Sequence, residues 1–364
     1  MLSLCSSPHA QETGNARGLI IESPYNVVSG WLKPFQEDGY AFGGNSAVWA
    51  ENANRILINQ RGETVLTDPV ADDFPGFAGA LGINVLREEN RRVWQNCLFE
   101  VNAEGEKVKV WNHLDHLCEG ANGPGPERIR VNPYDPERKL WVINQTHHEI
   151  HVISNDGSEL LATYGERGVP GDDATHYGSP QDVTFMPDGR ILVADGLLNN
   201  RVIIYDDEMN YMGEFGSQGD GPGQFNTIHS IAVGPEGRVF VTDRSGKNGV
   251  NLFRATKDPA IFEFERSIGA PLTLPLDIIV NQDDFWITDL GPLRFINYDF
   301  YGNIKRSWLV PRELPNGFLE IHTFSVDPDG NLYGGDNQYG RTQKFIPKSG
   351  VDPQLLIEPP WVAY

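Results

Sequence analysis

The sequence predicts an all-β chain folded as a six-bladed β-propeller, and three observations carry that expectation. One pattern recurs six times: an apolar strand entry, a Pro-Asp-Gly-like turn, an alternating strand ending in Asp or Asn, then a second apolar strand. The strand-closing residues Asn144, Asp195, Asp243, Asp289 and Asp336 lie 51, 48, 46 and 47 residues apart, the span of a unit of four short strands. The 39 glycines and 25 prolines supply the tight turns that short strands need. Length alone, 364 residues, suggests two or more domains at about 150 residues each; the repeat overrides that prior.

Residues 1–16 are expected to be disordered or the remnant of an export signal, and 17–364 a single propeller domain. MLSLCSSPHAQE has no basic residue and too short an apolar run for a complete signal peptide, yet its small residues before Gln-Glu fit a cleavage region. If it is the tail of a longer signal, the protein is periplasmic or extracellular; otherwise it is cytoplasmic. Export would make Cys97 and Cys118 a candidate disulfide, whereas in a reducing compartment they are two core thiols; Cys5 is the third cysteine.

The strand-like GLIIES at 18–23 is expected to join the last blade, leaving no open edge. The first blade reads NSAVWA, ENANR, ILINQRG, closing at Asn59, and an insertion of roughly 35–40 residues precedes the second. That second blade reads ERIRV, KLWVIN, HEIHVIS, and the third SPQDVTF, ILVADG, NNRVIIYD. The fourth reads IHSIAV, VFVTD, NGVNLF; the fifth LPLDIIV, FWITD, PLRFINYD; the sixth IHTFSV, LYGGD, RTQKF.

Lys and Arg number 29 against 50 Asp and Glu, a formal charge of −21. Such a surface repels phosphate backbones and anionic head groups, so neither nucleic acid nor a membrane is an expected partner. No run of 18 apolar residues is present to span a bilayer. The oligomeric state is not legible.

Stacking the six inner-strand entries places Asn45, Glu127, Gln181, His229, Leu276 and His322 in one column facing the channel. Two imidazoles and a carboxylate suit zinc or another first-row metal, with positions left for water or substrate. The structural alternative is that the two histidines fill the channel and bond to its waters. A second tier, on the loops after the strand-closing residues, carries Arg61, His147, His148, Arg244, Tyr339 and Arg341. Arg61 and Arg244 could grip a substrate carboxylate bidentately, unless each is a surface ion pair. Three other signals carry less. In HHEIH at 147–151, strand alternation sends His147 and His151 to one side and His148 to the other. HLDH at 113–116 reads as surface, and the glycine-rich 219–223 precedes a strand rather than a helix.

DGLLNNRVIIYD is similar to the NHL repeat. More narrowly, PGQFNTIHSIAV, INQRGETV, THYGSPQDV and the long first-blade insertion resemble peptidyl-α-hydroxyglycine α-amidating lyase, over about residues 40–345. The resemblance implies that His229 and His322 are zinc ligands and that Arg61 and Arg244 hold substrate. It also exposes departures. Glu127 stands where the family has its first zinc histidine, Leu197 where it has a tyrosine base, and Thr323 where it has an aspartate associated with calcium. The third-blade disulfide cysteines are missing as well.

The expected function is therefore a metal-dependent lyase or hydrolase acting in the channel on a small polar substrate with a carboxylate or carbonyl. Glu127, His229 and His322 would hold the metal, most simply zinc, with calcium the alternative. Tyr177, His147 or His148 would replace the missing base. A calcium lactonase of the gluconolactonase type is one competitor, which two histidines do not suit. A non-catalytic NHL propeller that binds protein or glycan is the other.

Overall fold

A computed structural model describes residues 19–66, 74, 76–79, 92–269, 271–313 and 316–363. The expected terminal segment 1–16, with Cys5, lies outside them. Among the described residues six four-stranded antiparallel sheets appear, five made from one repeat each and the sixth completed by a strand from before the first repeat.

Blade one comprises Asn45–Asn52, Arg55–Gln60, Leu98–Val101 and Lys107–Val110, and blade two Pro126–Val131, Leu140–Asn144, Glu149–Ile153 and Leu160–Tyr164. Blade three runs Asp182–Phe185, Ile191–Asp195, Arg201–Tyr205, Tyr211–Phe215; blade four Ile228–Val233, Arg238–Asp243, Gly249–Ala255, Phe262–Ile268. Blade five is Pro275–Val280, Asp284–Asp289, Arg294–Asp299 and Ile304–Leu309. Blade six has Thr323–Val326, Leu332–Asp336 and Arg341–Pro347, with Tyr25–Val27 as its outer strand. The first strand of every blade packs against the first strands of its two neighbours, and the sixth returns to the first. The ring is closed at six.

Alternation explains the packing. Second and third strands are buried on both faces, because each blade is sandwiched between two others. Their aromatic and β-branched residues form apolar layers between blades, such as Phe240, Phe285, Ile287 and Tyr298 between blades four and five. The strand-closing aspartates hold the turns. Asp243 Oδ1 accepts from the backbone N–H groups of Asn226 and Thr227, each at 2.9 Å, and Asp289 Oδ1 from those of Thr273 and Leu274 at 3.0 and 2.9 Å.

The closing strand differs from the expected one. Residues 19–23 do not supply it: Ile20 bridges Ser307 in parallel on the outer strand of blade five, and Tyr25–Val27 pairs with Arg341–Pro347. The reason lies in Tyr25, whose ring is buried against Trp308 and whose hydroxyl accepts a 2.8 Å bond from Ile357 N–H. Leu19 and Ile20 remain exposed. The seam is also tight at Gly44, where an added Cβ would lie 2.2 Å from Asn337 Oδ1.

The insertion falls between the second and third strands of blade one and adds a small sheet of Tyr40–Phe42, Glu63–Val65 and Arg92–Val93. Its end brings Cys97 beside Cys118, both buried thiols in contact with Trp94 and Ala121. Hydrogen bonding between the two sulfurs, then burial, raises the Cys97 pKa well above the ordinary range.

Because Tyr25 anchors the seam, Tyr25→Ala is expected to lower the unfolding free energy by about 3–5 kcal/mol, as for other large aromatic truncations. Tyr25→Phe, which orphans only the Ile357 N–H, is expected to lose about 1–3 kcal/mol. Urea unfolding monitored by tryptophan fluorescence measures both.

Candidate metal centre in the propeller channel

The stacked column is real in space. Glu127, His229 and His322, exposed by only 1, 0 and 2%, converge so that their ligand atoms all lie within 4.8 Å of one another. Glu127 Oε1 is 3.0 Å from His322 Nε2 and 3.5 Å from His229 Nε2. The two imidazole rings stand edge to face at 5.0 Å. Among the described residues this is the one His, Cys, Asp or Glu group that could hold a metal ion.

Backbone carbonyls fix both rings. His229 Nδ1 lies 2.8 Å from Leu276 O, and His322 Nδ1 lies 2.7 Å from Ser46 O. A carbonyl only accepts, so each Nδ1 carries the proton and each Nε2 turns its lone pair to the centre, the arrangement a metal ligand needs. His229 Nε2 is buried with no hydrogen-bond partner among the described residues. A buried orphan acceptor of this kind has a rationale when a cation completes it. Burial, then Arg244 and His322, push the His229 pKa well below its ordinary value. Burial would raise the Glu127 carboxyl, but His322 and Arg61 outweigh it and hold it well below the usual carboxylate range.

The turns after the second strands place the surrounding groups. In three blades a backbone N–H just past the second strand donates back to the entry of the inner strand: Arg61 to Gly44 O and Arg244 to Thr227 O, both at 2.8 Å, and Leu290 to Leu274 O at 3.0 Å. This latch sets both arginines beside the column, but their environments differ. Arg61 Nη2 pairs with Glu127 Oε2, and its Nε donates to Pro126 O at 3.3 Å. Glu127 Oε2 also accepts from Gln145 Nε2. The expectation that Arg61 grips substrate therefore meets an obstacle, because the carboxylate at 127 has captured its guanidinium. No ion-pair partner is present for Arg244 among the described residues, and its charge reaches His229.

The base candidates are dispersed. Tyr177 is not at the channel: it is buried between blades two and three with Trp141 and Val193, and burial raises its pKa well above the ordinary range. His147 and His148 lie in a turn, not on the strand as the alternation argument assumed. His147 is buried, and its Nε2 is engaged by Glu119 O at 3.0 Å. His148, with φ of 59°, accepts from Ser179 N–H at Nδ1 over 3.0 Å, so its Nε2 carries the proton and is a donor. Leu197 occupies the turn after Asp195, half-buried. In HLDH, Asp115 is structural, accepting from Asn96 and Cys97 N–H at 2.9 Å each.

One level along the inner strands sits a feature the sequence reading missed. Arg128, fully buried, places Nη1 2.9 Å from Asp277 Oδ1 and donates from Nη2 to His229 O at 3.0 Å. Arg130 donates to both Asp182 oxygens at 2.9 and 2.8 Å and reaches Asp277 Oδ1 at 3.2 Å. Ser230 Oγ lies 2.8 Å from Asp182 Oδ2 and 2.9 Å from Asp277 Oδ1. Thr323, in the same register, accepts from Val48 N–H at 3.1 Å across the seam. The signal was present: the positions after the column, Ser46, Arg128, Asp182, Ser230, Asp277 and Thr323, are polar in every repeat.

His151 shows how a histidine near the ring can be purely structural. It is buried with Nδ1 3.0 Å from Thr163 Oγ1, and burial, then Arg167, depress its pKa to about 3. The unfolded chain gains this proton near pH 6.5 and the fold does not, so the contribution is intact above that pH and lost as pH falls toward 3. His151→Leu is expected to flatten the stability loss in that window, measured by urea midpoints at successive pH values.

Comparison with known proteins agrees with this architecture. Residues 172–250 match a family model described as a 6-bladed beta-propeller. The chain is 34% identical over 80 residues to "Probable peptidyl-alpha-hydroxyglycine alpha-amidating lyase pgal-1" of Caenorhabditis elegans, a stretch covering 22% of this chain and 23% of that relative. Among solved structures, a gluconolactonase of Xanthomonas campestris superposes with a TM-score of 0.51 at 14% identity, covering 88% of this chain and 99% of that one. An auxiliary nutrient binding protein of Bacteroides thetaiotaomicron gives 0.55 at 10%, covering 88% and 76%. At such identities the superpositions speak for the fold alone. The chain is thus a six-bladed β-propeller with a homologous stretch in an amidating lyase.

Proposed function

We propose that the protein is a metal-dependent lyase, or a hydrolase, with zinc held by Glu127, His229 and His322, acting on a small polar substrate that carries a carboxylate or carbonyl. The observation that carries this reading is the convergence of two Nε2 lone pairs and one carboxylate oxygen on a point inside a buried channel. Nitrogen donors favour zinc over calcium, which takes oxygen ligands, so the calcium lactonase reading is the weaker one.

When bound, the metal supplies Lewis acidity toward a substrate oxygen or a water. The chain does the rest. Leu276 O and Ser46 O fix the imidazole tautomers, and Gln145 and Arg61 bind Glu127 Oε2 so that only Oε1 faces the centre. Arg244, beside His229 and without an ion-pair partner among the described residues, orients the anionic end of the substrate. His148, whose Nε2 carries the proton, is the acid candidate of this reading. No phenol stands in the turn after Asp195, where the amidating lyases resembled here have their base; Leu197 is there instead. The substrate is accordingly expected to differ from an α-hydroxyglycine peptide.

Elemental analysis after dialysis against zinc is expected to give one zinc per chain, lost in His229→Ala and in His322→Ala. Gln145→Leu, which removes one of the two groups that hold Glu127 Oε2, is expected to weaken zinc by about 10–100-fold. A metal content that survives both histidine changes would sink the proposal. Glyoxylate release from an α-hydroxyglycine peptide is expected to be below detection in the native protein. Robust release would instead assign the amidating reaction itself.

A further inference from the structure

Past the ionic cluster the channel opens again. The inner strands run on from the Glu127 level for about 13 Å over four residues, and at that end they surround a cavity of about 330 Å³. Each blade supplies an apolar wall: Ala50, Val131, Phe185, Val233, Val280 and Val326. The roof is the C-terminal segment, with Pro359 and Trp361 over the opening. Asn281 Nδ2 donates to the Glu358 and Pro359 carbonyls at 3.0 and 2.9 Å. Trp361 N–H donates to Val280 O at 2.7 Å and its indole N–H to Gln282 Oε1 at 3.1 Å. Ala363 N–H then reaches Tyr134 Oη at 3.1 Å. The segment therefore crosses the mouth from blade five to blade two, which face each other across the ring.

Arg130 is the most buried charged group of the lining; Thr184 and Ser325 add hydroxyls, and Glu51 and Arg138 pair with each other. Arg130 lines the cavity at 14% exposure, and its Nε and Nη2 are engaged by Asp182 and Asp277. Its Nη1 has no bond to the described residues. Close-packed interiors leave few voids larger than a water, so a chamber of this size with mainly apolar walls calls for an occupant. Arg128 and Arg130 already balance Asp182 and Asp277, so an added carboxylate would be an uncompensated buried charge, whereas a neutral acceptor would not.

We propose that this chamber is a second binding site, for a neutral ligand with an apolar body and one carbonyl acceptor turned to Arg130 Nη1, admitted by displacement of residues 359–362. Its size is that of small-molecule pockets at the low end of the usual range, about 300–1,000 Å³. The ionic cluster separates it from the metal level, and the proposal does not depend on that centre being catalytic.

The full-length protein is titrated with prodan, a neutral naphthyl ketone whose emission shifts to the blue in apolar surroundings. One saturable blue-shifted site per chain is expected. Methyl octyl ketone is expected to displace the dye at least about tenfold more effectively than decanoate of the same carbon count. Ala232→Phe and Thr184→Phe, which fill the chamber from separate blades, are each expected to weaken the dye at least about tenfold while retaining cooperative unfolding. Trp361→Ala is expected to speed both association and release in stopped flow. No saturable site in the native protein, or undiminished binding in a folded filled variant, overturns the proposal. Decanoate displacing as well as the ketone overturns the neutral-acceptor assignment, and unchanged rates in Trp361→Ala overturn the strap. Should both filled variants fail to fold, the competitor pair on the native protein decides.

Discussion

The buried ionic cluster of Arg128 and Arg130 with Asp182 and Asp277 is the interaction on which the rest of the channel depends. Six inner strands converging on one axis leave a space that must be filled, and here two guanidinium groups and two carboxylates fill it with charge balance. Removing one partner would strand a buried charge, at a cost of about 3–5 kcal/mol. The cluster also carries the level beside it. Arg128 bonds the carbonyl of His229, and Asp277 follows Leu276, whose carbonyl holds the His229 ring. Asp277 Oδ2 accepts from Phe324 N–H, two residues past His322. Metal level and ionic level are one construction, bonded across five blades.

Glu127 changes the electrostatics of that construction locally. A histidine there would leave three neutral imidazoles and a free Arg61; the carboxylate instead draws Arg61 and Gln145 onto its second oxygen. The pair is neutral, so a dication would enter a site with no net charge of its own, with Arg244 as the nearby unmatched cation. In a chain of net charge −21, this cationic spot at a channel level is a local exception.

What was legible in the sequence was whatever the period exposes. The 46–51-residue spacing fixed the blade count, and stacking the repeats brings Glu127, His229 and His322 into one register, as they are in space. Side-chain direction was not legible at turns. Tyr177 is close in sequence to Gln181, yet its ring packs between blades, and His147 points to Glu119 because the turn before Glu149 breaks the alternation. The pairing of Arg61 with Glu127 was not legible either, because that partner comes from the next blade, 66 residues away. Residues 358–363 follow the last repeat and have no period to reveal that they cross the channel.

The repeat itself separates structural acids from chemical ones. Asp195, Asp243, Asp289 and Asp336 recur because each carboxylate satisfies backbone N–H groups of a turn that would otherwise be buried unpaired. A group so engaged has little capacity left for substrate. Chemistry is to be sought where equivalent positions disagree. At the column the six blades offer Asn45, Glu127, Gln181, His229, Leu276 and His322, a set no shared folding requirement would select, since Leu276 shows that an apolar residue suffices to fill the place. The next register behaves differently: it is polar in all six blades, and its members bond one another or neighbouring backbone. Uniform polarity marks the scaffold, and divergence marks the site. By that criterion His229 and His322, which share one partner in Glu127 and leave one Nε2 unsatisfied, are the positions where this ring departs from what its fold requires.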